Sequence, residues 1–207
     1  MIWTIIYIAI IAVCVIVDQI TKVMAVERLA DGGSFVVIPN VLQFTYVENR
    51  GMALGLMQEK NMRWIFISIS ILAIVAMSVY LIKWRPKSKF ACVAMALIIG
   101  GGIGNMIDRI FFNGVLPNPD PEKYGQKVVR DFIDFKGFGD LWPWVFNLAD
   151  AFVCVGGAML FLWCVVSIIQ EAKNEKKAKA VRESNGESII EVEPEEVLDE
   201  DNDKKEE

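Results

Sequence analysis

The sequence predicts a membrane all-α fold with a small β element: four transmembrane helices carrying a short curved sheet on one side. Three observations point there. Of the 207 residues, 54% are hydrophobic, more than an ordinary soluble domain holds. Four apolar runs approach or exceed the roughly 18–20 residues that a bilayer helix needs. Lys and Arg gather in two of the short connections, as they do on the cytoplasmic side of membrane proteins.

In chain order, "MIWTIIYIAIIAVCVIVDQITKVMAV" (1–26) supplies a first span over about 2–24. It lacks a basic leader and a small-x-small exit site, and it is too long for a signal-peptide core, so it reads as a retained span. "SFVVIPNVLQFTYVENRG" follows, with Leu42, Phe44 and Tyr46 at period two after a Pro-Asn turn, which predicts a hairpin or curved sheet. The second span is expected over 62–84 and the third over 90–107. Gly100, Gly101, Gly102 and Gly104 in the third read as a close helix contact. They do not read as a phosphate loop, because no Gly-Lys-Ser/Thr follows.

"NGVLPNPDPEKYGQK" (113–127) is a turn-rich insertion, and "VVRDFIDF" (128–135) a short strand. The fourth span is expected over 146–170. Residues 171–207 form a charged tail, disordered where aromatics vanish and Glu accumulates. Residues 183–207 hold twelve acids against two lysines, so the net charge of −5 describes the tail and the remainder is basic.

The basic connections "KWRPKSK" and "EAKNEKKAKAVR" predict that both termini are cytoplasmic and that 27–61 and 108–145 lie outside. There is no histidine, which excludes Ser-His and Cys-His catalysis, His-based zinc sites and a histidine switch. Cys14, Cys92, Cys154 and Cys164 each sit in an apolar run without a CxxC pair, and read as small hydrophobes.

With this orientation, Asp18 and Lys22 of span one, Asn105, Asp108 and Arg109 of span three, and Asn147 and Asp150 of span four fall in one layer near the outer surface. A carboxylate in hydrocarbon costs about 3 kcal/mol on insertion scales. Any one of these acids has a bland reading as a helix cap or an ion pair, such as Asp108 with Arg109. Their coincidence in one layer points to a functional site. Two adjacent carboxylates cannot both ionise comfortably, so one keeps a proton while the other acts as base. Such a pair can activate water for attack on a peptide carbonyl and then protonate the leaving amine. A proton or cation relay would use the same acids.

"DQITK" (18–22), "VENRGMALG" (47–55), "GNMIDR" (104–109), "VRDF" (129–132) and "FNLAD" (146–150) occur in the order found in the lipoprotein signal peptidases, or signal peptidase II, which the chain resembles over residues 1 to about 170. The resemblance implies a four-span peptidase domain, an outer-face cradle near 35–58, and a loop bearing one catalytic Asp. It implies that Asp131 and Asp150 form a catalytic dyad, with Asn49, Asn105, Arg109 and Asn147 around the substrate. Asp18, Lys22, Gly51, Asp108 and Ala149 would have supporting roles. The match to V-x-D-F and the 19-residue step to Asp150 favour Asp131 over Asp134.

The family removes signal peptides from diacylglyceryl prolipoproteins in the bacterial cytoplasmic (inner) membrane, cutting just before the lipid-bearing cysteine. The expected partners are those substrates, membrane lipid and globomycin-type inhibitors, with no nucleic acid, no metal and no organic cofactor. A transporter would place its acids nearer the midplane within two repeats. No repeat is visible, and a purely structural subunit would not need the ordered outer motifs.

Overall fold

Helix α3 (Lys89–Phe111) sits at the centre because one of its faces is built from small residues. Ala91, Ala94, Ala96, Gly100, Gly101 and Gly104 are all buried. Membrane helices associate where small side chains let backbones approach. A side chain at Gly101 would run into the Ala149 carbonyl oxygen, and a Cβ on Gly104 would stand 2.5 Å from Asp18 Oδ2. Helices α1 (Ile2–Leu29) and α2 (Met62–Lys83) pack along α3. Their outward faces expose Ile5, Ile16, Ile69 and Leu72, among others. With α4 (Leu148–Ser184), the described residues contain four helices long and apolar enough to cross a membrane. The computed structural model describes residues 2–50, 62–83, 87–116, 126–137, 139 and 144–184.

A four-stranded antiparallel sheet, in the order β1-β2-β3-β4, comprises β1 (Ser34–Ile38), β2 (Leu42–Asn49), β3 (Val129–Phe135) and β4 (Val145–Phe146). Asn40 turns the first hairpin at φ 58°, a left-handed conformation that Asn tolerates. The Val41 N–H closes the turn by donating to the Ile38 carbonyl at 3.0 Å. The predicted hairpin is therefore present, with Phe35 opposite Phe44. Ala25, Tyr46 and Phe132 form a small core with Leu29, Phe44 and Leu148 packed against it. This core seats the sheet on the C-terminal end of α1. Strand β1 is different, since Phe35, Val36, Val37 and Ile38 are all exposed.

The helix ends depart from the predicted spans. Helix α1 runs to Leu29 rather than 24, since its last turns bury Ala25 and pack Leu29 against the sheet. Helix α3 continues to Phe111, past the expected 107. Helix α4 begins at Leu148 instead of 146, because Val145 and Phe146 pair with Asp134 and Ile133 as strand β4. Two residues are too few for a period-two signal.

By contacts the chain divides into Met1–Cys164 and Val165–Glu207. In the second unit the helix continues to Ser184, so 171–184 is helical where a disordered tail was expected. That stretch is rich in Ala, Lys and Glu, all strong helix formers. Residues 185–207 lie outside the described residues, as does most of the insertion. Its flanks run antiparallel: the Gly114 N–H donates to the Gln126 carbonyl at 2.8 Å, and the Val128 N–H to the Phe112 carbonyl at 3.3 Å.

Candidate active site

The start of α4 organises the site. Asn147 Oδ1 accepts from the Asp150 N–H at 3.0 Å, and Asp150 Oδ2 accepts from the Asn147 N–H at 3.1 Å. This is the reciprocal arrangement of a capping box, with Asp in place of Glu three residues on. It pins the Asp150 carboxyl in the first turn, at the positive end of the helix dipole. Asp150 Oδ1 accepts a further bond from Asn105 Nδ2 at 2.7 Å.

Strand β3 delivers Asp131 to the same place. Its Oδ1 accepts from Asn147 Nδ2 at 2.6 Å, and its Oδ2 from Asn49 Nδ2, at the end of β2, at 2.9 Å. Asn147 therefore bonds both acids, one through its side chain and the other through its backbone. Asn105 Oδ1 accepts from Asn147 Nδ2 at 3.0 Å and from Lys22 Nζ at 2.9 Å. With its oxygen held by two donors, the Asn105 amide must turn its NH₂ group toward Asp150.

Lys22 joins this amide cluster to a second, fully charged one. It pairs with Asp18 at 2.9 Å and with Asp108 at 3.4 Å, and all three side chains are fully buried. Arg130 grips Asp108 through Nη2 at 2.6 Å, Nε at 3.1 Å and its own backbone N–H at 3.0 Å. Gln19 accepts from Arg130 at 2.7 Å and donates to Asp18 at 3.0 Å. The Ala149 N–H donates to Asp18 Oδ1 at 3.0 Å, which ties α4 to α1. The close ion pairs of Asp108 are thus with Arg130 and Lys22, where the bland reading offered Arg109. Arg109 interacts electrostatically with Asp150, Asp131 and Asp108, in that order, and its Nη1 reaches the Asn105 carbonyl at 3.5 Å.

Burial, and after it the Asp150 charge, pushes the Asp131 carboxyl up to about 7. The hydrogen bonds from Asn49 and Asn147 and the Lys22 charge oppose that rise without cancelling it. Asp134 belongs elsewhere: it accepts from Gln43 at 2.7 Å and pairs with Lys136 at 3.1 Å. Of the residues singled out in the sequence, Asp18, Lys22, Asn49, Asn105, Asp108, Arg109, Asp131, Asn147, Ala149 and Asp150 converge here. Gly51 lies outside the described residues. Gln19 and Arg130 were missed, although both stand inside quoted motifs; nothing in a strand pattern says that Arg130 turns inward. Among the described residues, no group of three or more His, Cys, Asp or Glu is placed to hold a metal ion.

Comparison with known proteins gives a consistent picture. A family profile described as "Signal peptidase (SPase) II" matches residues 10–166. The lipoprotein signal peptidase of Clostridioides difficile (strain 630) is 36% identical over 168 residues, covering 81% of this chain and 98% of that protein. Its counterpart in Caldanaerobacter subterraneus subsp. tengcongensis is 39% identical over 153 residues, covering 74% and 91%. Two solved structures, both titled as a bacterial membrane enzyme studied in meso, superpose with a TM-score of 0.62. One is 30% identical, covering 81% of this chain and 90% of its own, and the other 32% identical, covering 76% and 91%. The chain is therefore a multi-pass membrane protease and belongs to the signal peptidase II family.

Proposed function

We propose that this protein removes the signal peptide from diacylglyceryl-modified prolipoproteins, cutting just before the lipid-bearing cysteine, with Asp131 and Asp150 as the catalytic pair. The observation that carries the reading is the bonding of Asn147 to both carboxyls at once. Family membership supplies the substrate class.

Asp131, with its carboxyl lifted to about 7, holds the shared proton, and Asp150 is the base. Asp150 takes a proton from a water lying between the acids. The resulting hydroxide attacks the scissile carbonyl while Asp131 protonates its oxygen. As the tetrahedral diol collapses, the proton on Asp150 passes to the leaving amine and Asp131 recovers its own. Asn49, Asn105 and Asn147 hold the carboxyls in place, and Arg109 lies beside the forming negative charge. No cofactor enters the scheme.

The substrate's diacylglyceryl group anchors the bond at the membrane surface. The exposed apolar strand β1 suits the outer-face cradle on which the signal peptide rests; the continuation of that cradle, 51–58, lies outside the described residues. The reading places the enzyme in the bacterial cytoplasmic membrane, with both termini inside and the acids at the outer face. Globomycin-type inhibitors would occupy the same cleft.

The test is cleavage of a purified diacylglyceryl prolipoprotein by folded wild type, Asp131→Asn, Asp150→Asn and Asp134→Asn. Loss of cleavage in the first two variants and retention in the third is the expected result. Loss in Asp134→Asn with retention in Asp131→Asn would mean the wrong strand residue has been assigned. No cleavage by wild type would remove the substrate reading.

A further inference from the structure

At the end of the bundle away from the acids, a groove of about 390 Å³ opens between α1 and α2, with α3 as its floor. That volume falls in the range of about 300–1,000 Å³ seen for small-molecule sites. Thr4, Tyr7, Ile8 and Ile11 of α1 form one wall and Ser78, Leu81 and Ile82 of α2 the other, with Cys92 and Ile99 beneath. Trp3 lies fifteen residues before Asp18, and Cys92 thirteen before Asn105. At about 1.5 Å per residue the groove is about 20 Å from the acid layer, near the opposite membrane surface.

The mouth is basic. Lys87 and Lys89 line it, both exposed, and no carboxylate is among the groove's lining residues. Lys89 Nζ sits 4.1 Å from the centre of the Trp3 ring, and Trp3 in turn packs on Tyr7 with ring centroids 6.2 Å apart. Aromatic rings at this depth mark the headgroup level of a bilayer, and here they hold a cation at the rim of an apolar slot.

We propose that this groove binds an anionic glycerophospholipid. One acyl chain lies between α1 and α2, and the phosphate sits between Lys87 and Lys89. The walls exclude a purely polar ligand, because apart from Thr4, Tyr7 and Ser78 they offer hydrocarbon. The charge selects against a zwitterionic lipid, whose headgroup cation would meet two lysines with no lining carboxylate to receive it. The site shares no residue with the candidate catalytic cluster, so lipid binding and cleavage are separately measurable.

The experiment uses the full chain in mild detergent, equilibrated with equal amounts of phosphatidylglycerol and phosphatidylcholine and examined by native mass spectrometry. Several-fold preferential retention of phosphatidylglycerol is expected. Lys87→Gln with Lys89→Gln should remove that preference while leaving prolipoprotein cleavage unchanged, and Ser78→Trp, which fills the slot, should lower retention of both lipids. Equal retention by the wild type would overturn the proposal, as would an undiminished preference in the double variant. Displacement of the lipid by glycerol phosphate alone would reduce the site to a surface anion contact. A second copy of the chain retained in place of lipid would make the groove a dimer interface; either result overturns the lipid assignment.

Discussion

Two pairs of aspartates lie side by side at the same end of the bundle, and their surroundings differ in kind. Asp18 and Asp108, both fully buried, are met by Lys22 and Arg130, two acids against two bases. Asp131, 2% exposed, and Asp150 are met by the neutral amides of Asn49, Asn105 and Asn147. The two cations tie Asp18 and Asp108 into a closed network of ion pairs and hydrogen bonds. Amides orient a carboxylate while leaving its protonation to burial and to its neighbour. On the proposed assignment, the partner rather than the level along the bundle separates the reactive acids from the structural ones.

The sharpest way to break this contrast is to neutralise each pair in turn. Asp131→Asn and Asp150→Asn should each lower cleavage by about 10²–10⁴-fold with the fold intact, measured on purified lipidated substrate. If either variant retained full activity, the distinction would fail. Neutralising the other pair acts on stability instead. Arg130→Gln strips Asp108 of its guanidinium and should cost about 3–5 kcal/mol, as breaking a buried ion pair does. Unfolding in detergent would measure it, and an unchanged midpoint would show that Asp108 is not charge-balanced in this way.

Asn147→Ala sharpens the comparison at its hinge. Losing the cap should cost about 0.5–2 kcal/mol, while cleavage should fall by more than the unfolded fraction explains, because the Asp131 carboxyl loses an orienting bond and Asn105, which holds Asp150, loses one of the two donors to its oxygen. A fall matching only the unfolded fraction would make Asn147 a cap and nothing more.

The remaining prediction concerns pH dependence. The Asp131 carboxyl is raised from 3.8 to about 7, so the folded protein keeps a proton that the unfolded chain releases. Its contribution to stability is full below about pH 4 and is lost as pH rises through about 7. Wild type should thus lose stability between about pH 4 and 7 relative to Asp131→Asn, and cleavage should decline above about pH 7. Parallel stability curves for the two proteins would contradict the assigned burial effect.

Much of this molecule was legible beforehand, for reasons that are local. Length and hydropathy suffice for four spans, because a bilayer demands long unbroken apolar helices whatever they pack against. The 1.5 Å rise of a helix then places Asp18, Asp108 and Asp150 in one layer without any knowledge of neighbours. The hairpin at Asn40 and the strand at 129–135 follow from turn residues and alternation. Asp131 was harder: it belongs to no span, and only the family resemblance ranked it above Asp134.

What the sequence by itself determined, then, is which segments are long and apolar enough to cross a membrane and at what level along those helices their polar groups fall. Only the tertiary structure decided which polar group faces which. Arg130 reaches Asp108 across 22 residues of chain, Lys22 reaches Asn105 across 83, and Asn49 reaches Asp131 across 82. Those choices follow from the close packing of α1 and α4 on the small-residue face of α3, and from the register of β3 beside β2. Helix pitch and strand alternation are properties of a single segment, whereas an ion pair is a property of two, and the second partner is supplied by the fold.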